Sequence, residues 1–306
     1  MINFRYHLVS LVAVFLALAL GVVVGVAALN GPVLHDLRAE AATLKADKRA
    51  LEQTAGEQRR RVDADNRFAA AVAPTVVAGR LKGASVVLVA TSKVPGPLTD
   101  AVQTMLRRAG ATVTGRVQLT DGYTDPTRAT ELKAYATGDG LPAGLRLPES
   151  DSAGVLGAAV LSQVLIGRTA PKDVTQVLAG LAGLQLLRQD GDVTAAEQAV
   201  LLTTGQQGGD TADSRLGAIT ALAGALDHAG RGAVVAGDRA SAAVDGVLGR
   251  VRADQSLAAA VSTVDTIDGA VEQVALVYAL AEQRAGHAGQ YGVAPGAQAA
   301  LPSPQR

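Results

Sequence analysis

Residues 84–90 read ASVVLVA, residues 98–109 read LTDAVQTMLRRA, and residues 111–119 read ATVTGRVQL. The first run is apolar throughout, which is typical of a strand covered on both faces. The second has the spacing of an amphipathic helix, and Gly110 ends it. The third returns as a strand. This strand–helix–strand order predicts two parallel strands in one sheet.

The same alternation continues along the chain and predicts a doubly wound, mostly parallel α/β sheet domain over residues 80–292. Residues 293–306 are rich in Ala, Pro, Gly and Gln, and we expect them to form a disordered tail. Further strands are predicted at 199–204, 232–236 and 258–264, and helices at 154–166, 173–187, 216–229, 239–249 and 269–284.

A charged segment precedes the sheet domain. Residues 33–73 are rich in Ala, Arg, Glu, Asp and Lys, and they predict one long helix that ends at Pro74. Its leucines recur every seven residues, which predicts a short coiled coil and therefore a homo-oligomer, a dimer or higher. The alternative is a solvated stalk, or a helix that docks on another envelope protein. The predicted heptad seam consists of Leu34, Leu37, Ala41, Leu44 and Leu51.

The N-terminus carries the strongest membrane signal. Residues 8–29 contain no charged side chain, and a helix of this length spans the roughly 30 Å hydrocarbon core of a bilayer. We predict a single transmembrane helix after a short head at 1–7, with the α/β domain on the extracytoplasmic side. The alternative is a cleaved signal peptide, whose apolar part is usually shorter, about 7–15 residues.

One stripe of this helix is made of small residues. They recur every four residues and include a GxxxG step, a pattern that lets two helices approach closely in lipid. We therefore predict self-association through this small-residue face, although an alanine-rich sequence also meets the pattern by chance. The face consists of Ala13, Ala17, Gly21 and Gly25.

Composition excludes several kinds of chemistry. The chain has no cysteine and a net charge of zero, so disulfides, thiolate metal sites and a strongly basic nucleic-acid surface are all excluded. No GxGxxG, GxxxxGK[ST] or GxSxG motif occurs, and the four histidines lack metal-ligand spacing. We expect a protein that is not an enzyme and has no resident cofactor. The turns at 203–205 and 237–239 follow predicted strands and are either ordinary loops or ligand-binding loops.

Both ends of the chain resemble one family. Residues 1–25 (MINFRYHLVSLVAVFLALALGVVVG) are similar to the N-terminus of the MctB-type copper transport proteins of actinobacteria. Residues 262–292 are similar to their C-terminal end, with STVD at a strand end, ALAEQ in a helix and a GxxGxYG-like finish. The resemblance implies copper efflux or homeostasis, with copper as the transported solute, and a place in the cell envelope or outer membrane. The resemblance also implies, as an alternative, a scaffold that docks envelope partners involved in cell-wall hydrolysis.

Overall fold

The computed structural model describes residues 3–30 and 32–303, without the side chains of residues 3, 4, 27–30, 32–34 and 36. The chain divides into two compact units, Met1–Asp65 and Asn66–Arg306. The first unit contains helix α1 (Asn3–Asn30) and most of helix α2 (Pro32–Val77). The second unit contains the end of α2 and an α/β sheet domain.

The strands of the second unit are β1 (Ser85–Ala90), β2 (Thr112–Leu119), β3 (Leu187–Asp190), β4 (Gln198–Thr203), β5 (Ala233–Gly237), β6 (Ser262–Val264) and β7 (Gln290–Tyr291). The helices that follow α2 are α3 (Gly96–Arg108), α4 (Asp121–Thr124), α5 (Ala129–Thr137), α6 (Ala153–Leu165), α7 (Pro171–Gly183), α8 (Ala212–Ala229), α9 (Val247–Ala253), α10 (Gln255–Ala260) and α11 (Ala270–Arg284). Single 3₁₀ turns occur at Pro126–Arg128 and Ala240–Ala242.

The strands form one seven-stranded sheet in the order β3-β2-β1-β4-β5-β6-β7. Each neighbouring pair is parallel except β2 with β3, which is antiparallel. The chain runs outward from β1 to β2 on one side and from β4 to β7 on the other. The strand order therefore reverses between β1 and β4, and the predicted doubly wound, mostly parallel fold is confirmed.

Side chains that alternate along the central strands enter two separate cores. In β1, Val87 and Val89 pack in a core that helices α5 to α9 cover. Val86 and Leu88 point to the opposite face and pack with residues of α3 and α11. Because both faces are covered, the central strands are apolar at nearly every position, as the sequence of residues 84–90 indicated.

Several predicted boundaries differ from the structure. Helix α7 ends at Gly183, and the following apolar residues turn through Gln185, in the left-handed region at φ 55°, into edge strand β3. The predicted helix at 239–249 is a 3₁₀ turn followed by α9. The predicted strand at 258–264 is mostly helix α10, and only Ser262–Val264 pairs with β5. For β3 and β6, pairing with β2 and β5 determined the strand boundaries over the local apolar pattern.

Helix α2 continues through Pro74 to Val77, whereas the sequence predicted that Pro74 would end it. Pro74 lacks the N–H that would bond to the preceding turn, so the helix loses one hydrogen bond there. Ala73 and Val77 flank the proline and are buried in the α3–α11 core. Burial of these neighbours stabilises the last turn of the helix.

The C-terminal segment also differs from the predicted disordered tail over its described part, to residue 303. Gly292 N donates to Ala299 O at 2.9 Å, and Gln298 N donates to Gln290 O at 2.7 Å. Ala294 is buried against the core. Composition failed here because backbone hydrogen bonds, which composition does not record, hold the segment on strand β7.

Candidate functional site

The apolar helix is the element most directly related to a membrane. Arg5–Val26 is the one candidate span among the described residues by length and composition. Its large side chains, such as Phe15 and Leu18, are not covered by other parts of the chain, as expected of a helix surrounded by lipid. Sequence reasoning placed the span at residues 8–29, slightly nearer the C-terminus.

The small-residue face lies within this helix and is open. Ala13, Ala17 and Gly21 are exposed, and Gly25 is half-buried. A Cβ atom added to Gly21 or Gly25 would meet no atom within 4 Å. The face therefore has room for the backbone of another helix, and self-association through it stays a prediction.

The heptad seam lies on α2. Leu37, Leu44 and Leu51 are exposed, the last two at 70% and 71%. Ala41 is exposed beside them, and the side chain of Leu34 lies outside the described residues. Large exposed leucines at intervals of seven form an apolar line on an otherwise charged helix. Their pairing with another helix stays a prediction.

The two loops singled out by sequence lie at the carboxyl edge of the sheet and contact each other. The Asp238 carboxylate accepts hydrogen bonds from Gly205 N at 3.0 and 3.1 Å and from Ser241 N at 2.8 Å. Ser241 Oγ also donates to Asp238 O at 2.7 Å. The carboxylate thus joins the β4 and β5 loops to each other, which is a structural role.

A buried ionic network holds the C-terminal segment. Arg252 Nη2 donates to Asp265 Oδ2 at 2.9 Å, and these side chains are only 4% and 0% exposed. Asp265 also accepts from Val293 N at 2.9 Å and Ala294 N at 3.1 Å. Gly292 has φ 125°, and a Cβ atom there would overlap the Asp265 carboxylate. A glycine is therefore required where the chain passes the carboxylate.

Neighbouring polar side chains extend this network. Thr263 Oγ1 accepts from Arg252 Nε at 2.8 Å and donates to Gln290 Oε1 at 2.7 Å. Gln290 Nε2 donates to two backbone carbonyls of the α10 region, and Tyr291 OH donates to the Glu282 carboxylate. Burial and this carboxylate both raise the pKa of the Tyr291 hydroxyl, which therefore remains a donor at neutral pH.

Potential metal ligands are dispersed. His7, His35, His228 and His287 are all exposed and belong to different elements or loops. Met105 is buried in the α3–α11 core. Within residues 3–30 and 32–303, no group of three or more His, Asp or Glu side chains is arranged to hold a metal ion.

Comparison with known proteins identifies the family. The profile described as "Copper transport outer membrane protein, MctB" matches residues 1–302. The chain belongs to the MctB family. It is 32% identical to the copper transporter MctB of Mycobacterium tuberculosis (strain ATCC 25618 / H37Rv), over 97% of this chain and 98% of the relative. It is 31% identical to the copper transporter MctB of Mycobacterium leprae (strain TN), over the same shares. The resemblance predicted from sequence is confirmed.

In this MctB-family chain, the C-terminal residues that carried the resemblance are the residues of the buried network. The STVD step supplies Thr263 and Asp265, and the GxYG finish supplies Tyr291 and Gly292. Sequence reasoning missed Arg252, because one arginine in a charged helix has no local signal of burial. The aspartate directly after a predicted strand was the available clue, since a buried carboxylate requires a partner.

Proposed function

We propose that this chain is a membrane-anchored protein of the cell envelope that acts in copper efflux as an assembly of two or more copies. The observation that carries the proposal is the family match over residues 1–302, together with the two relatives that are named copper transporters. In the proposal copper is cargo, the chain is not an enzyme, and the α/β domain lies outside the cytoplasm.

Oligomerisation follows from the number of apolar helices. One helix in the described residues is long and apolar enough to cross a bilayer, and a single helix cannot enclose a path for an ion. The open faces of Gly21 and Gly25 and the exposed Leu44 and Leu51 support contacts between copies. The glycines lie in the apolar helix and the leucines lie in the helix that follows it. Copies anchored in the same membrane would therefore pair in parallel.

The test measures cell-associated copper in a strain that lacks the gene and is grown with added copper. We expect the deletion strain to accumulate copper and the full chain to restore the normal content. We expect a chain with Leu44→Glu and Leu51→Glu to fail, because charges on an apolar seam prevent helix pairing. The matched control, Ala46→Glu with Gln53→Glu, places the same charges on the opposite, f, positions of the helix. Normal copper content in the deletion strain would contradict the proposal.

Topology is tested with single cysteines, because the natural chain contains none. Lys172→Cys lies on an exposed position of the α/β domain, and Arg5→Cys lies at the start of the apolar helix. We expect a membrane-impermeant maleimide to label position 172 in intact cells and position 5 only after lysis. The reverse pattern would place the α/β domain in the cytoplasm.

A second candidate function is a scaffold that docks proteins of cell-wall hydrolysis or other envelope partners through residues 33–73. The exposed line of Leu37, Leu44 and Leu51 favours it, because such a line pairs equally well with a helix of another protein. Crosslinking in intact cells distinguishes the two candidates. A different protein crosslinked at residue 44, together with normal copper content in the deletion strain, would favour the scaffold.

A further inference from the structure

The two edges of the sheet differ in what covers them. At one edge, the C-terminal segment lies against β7, where Gln298 N donates to Gln290 O at 2.7 Å. At the other edge lies β3, of which three of the four residues are exposed. Among the described residues, no segment pairs with the outer side of β3. An uncovered edge strand presents backbone groups to which another strand can bind.

The backbone of Gln189 points away from the sheet. In an antiparallel pair, every second residue directs its N–H and C=O to the partner strand, and the residues between direct theirs outward. Thr120 N donates to Leu186 O at 3.0 Å, which continues the β2–β3 pairing and sets this alternation. The backbones of Arg188 and Asp190 therefore face β2. The N–H and C=O of Gln189 lie at the open edge, without a partner in the part of the chain that the structure describes.

The side chains of β3 are complementary to those of a second β3 strand. Arg188 and Asp190 are two residues apart, so their side chains lie on the same face of the sheet. If two β3 strands pair antiparallel with the two Gln189 residues opposite each other, Arg188 of each copy lies opposite Asp190 of the other. Opposite charges directly across a strand pair attract each other. Two-fold symmetry therefore forms two ion pairs from one pair of residues.

The charges of β3 are available for these ion pairs. Arg116 of β2 forms an ion pair with Asp190 Oδ2, yet the Asp190 side chain remains 66% exposed. Arg188 is exposed, and its side chain has no ion pair within the described ranges. In the paired arrangement Asp190 would lie between two arginines, Arg116 of its own chain and Arg188 of the second copy. Like charges at positions 188 and 190 would instead repel a second copy in this register.

We propose that β3 is a contact between two copies of this chain, whose β3 strands pair antiparallel with the two Gln189 residues opposite each other. The contact exchanges two backbone hydrogen bonds at Gln189, forms two Arg188–Asp190 ion pairs and joins the two sheets edge to edge. It lies in the α/β domain and is separate from the heptad seam of α2. Because β3 is short, the contact needs the high local concentration that copies in one membrane supply, and in this respect it rests on the proposed membrane anchor.

The test is disulfide formation in membranes that contain the full chain, because the natural chain has no cysteine. Directly opposite residues that exchange backbone hydrogen bonds have Cα atoms about 5.5 Å apart, a distance that a disulfide spans. We therefore expect Gln189→Cys to form a crosslinked dimer under a mild oxidant. The matched control is Lys172→Cys, because Lys172 is exposed in the same domain but lies outside β3. We expect this control not to crosslink.

The register is tested with two further cysteine variants. Arg188→Cys alone should not crosslink, because the two copies of residue 188 would lie diagonally across the strands, about 7–8 Å apart, which is too far for a disulfide. Coexpression of Arg188→Cys with Asp190→Cys should give a mixed dimer, because these positions lie opposite each other. Crosslinking of Arg188→Cys alone, without the mixed dimer, would show a different register and overturn the proposal.

Charge reversal tests the ion pairs. In the Gln189→Cys chain, Arg188→Glu places two carboxylates opposite each other and should lower the crosslinked fraction about five-fold. The same reversal at an exposed site outside β3, Lys172→Glu, should leave the crosslinked fraction unchanged. A crosslinked fraction that Arg188→Glu does not lower would overturn the proposal.

The crosslink also separates this contact from the proposed assembly through α2, and its readout does not involve copper. Crosslinking of Gln189→Cys should persist in a chain with Leu44→Glu and Leu51→Glu, because β3 and the heptad seam are different surfaces. Loss of the crosslink in that chain, its absence in the original Gln189→Cys chain, or equal crosslinking of Lys172→Cys would overturn the proposal. A crosslink from residue 189 to a different protein would also overturn it, because β3 would then bind that protein rather than a second copy.

Discussion

Replacement of Asp265 by asparagine tests whether the buried ionic network holds the C-terminal segment. Asparagine has the same shape as aspartate but presents an amide NH₂ on one side. In the folded chain, one carboxylate oxygen faces Val293 N and the other faces Arg252 Nη2 and Ala294 N, all of which are donors. Either orientation of the asparagine amide therefore places donors against donors. The Arg252 charge also loses its partner.

The expected magnitude follows from burial. The Arg252 and Asp265 side chains are 4% and 0% exposed, so water cannot replace the lost partner. Breaking a buried ion pair from one side costs about 3–5 kcal/mol of the free energy of unfolding. For a domain of this size each kcal/mol lowers the melting temperature by roughly 2–4 °C. We therefore expect Asp265→Asn to lower the melting temperature by about 6–20 °C.

The assay is thermal unfolding of the full chain in detergent, followed by circular dichroism, with amide hydrogen exchange on the same samples. The matched control is Asp151→Asn, which breaks the exposed pair with Lys133 and should leave the melting temperature unchanged. In Asp265→Asn, the amides of Val293 and Ala294 should exchange faster, because the asparagine NH₂ faces one of them and the C-terminal segment that carries both is destabilised. If Asp265→Asn and the control have the same melting temperature and these amides stay protected from exchange, the network does not stabilise the C-terminal segment.

Three further changes test separate features of the fold. Burial raises the pKa of Asp227, whose carboxylate accepts a hydrogen bond from Ala233 N. The folded state therefore binds the proton more tightly, and the free energy of unfolding falls as the pH rises above the pKa that Asp227 has in the unfolded chain. Asp227→Asn should therefore raise the melting temperature at pH 7 but not at pH 3. Gly246→Ala should lower the free energy of unfolding by about 1–3 kcal/mol in urea titrations, because a Cβ atom would overlap the carbonyl of Ser241. Pro74→Ala should raise the free energy of unfolding by up to about 3 kcal/mol, because alanine restores the missing helix hydrogen bond. A free energy of unfolding below that of the unchanged chain would show that the proline ring is needed for packing.

The sheet was predictable from sequence because its central strands are covered on both faces. Runs such as VVLV at 86–89 have no other stable place than the interior of a doubly wound sheet. The edges were less predictable. Strand β3 contains one buried residue, Leu187, followed by exposed positions, so its pattern carries little information. It is held by pairing with β2 and by an ion pair between Arg116 of β2 and Asp190, which are distant in sequence.

The candidate sites divide in the same way. The membrane helix and the leucine spacing of α2 are local patterns, so the sequence reveals them directly. The buried network depends on groups from separate parts of the chain, namely Arg252, Asp265 and Gly292. Only the fold brings the arginine and the glycine against the buried carboxylate. Such contacts are a property of tertiary structure, which sequence spacing does not encode.

The two units of the chain offer different features to the proposed function. The proposed copper path requires several copies of the apolar helix, and the features available for its assembly all lie in the N-terminal unit, namely Gly21, Gly25 and the α2 leucines. Within the described residues of the α/β domain, no group of three or more His, Asp or Glu side chains is arranged to hold a metal ion. Cu(I) prefers sulfur ligands and Cu(II) accepts imidazole, whereas Met105 is buried in the α3–α11 core and the histidines lie on separate elements or loops. The proposed copper path therefore depends on assembly of the N-terminal units, and Leu44→Glu with Leu51→Glu is the change that tests it most directly.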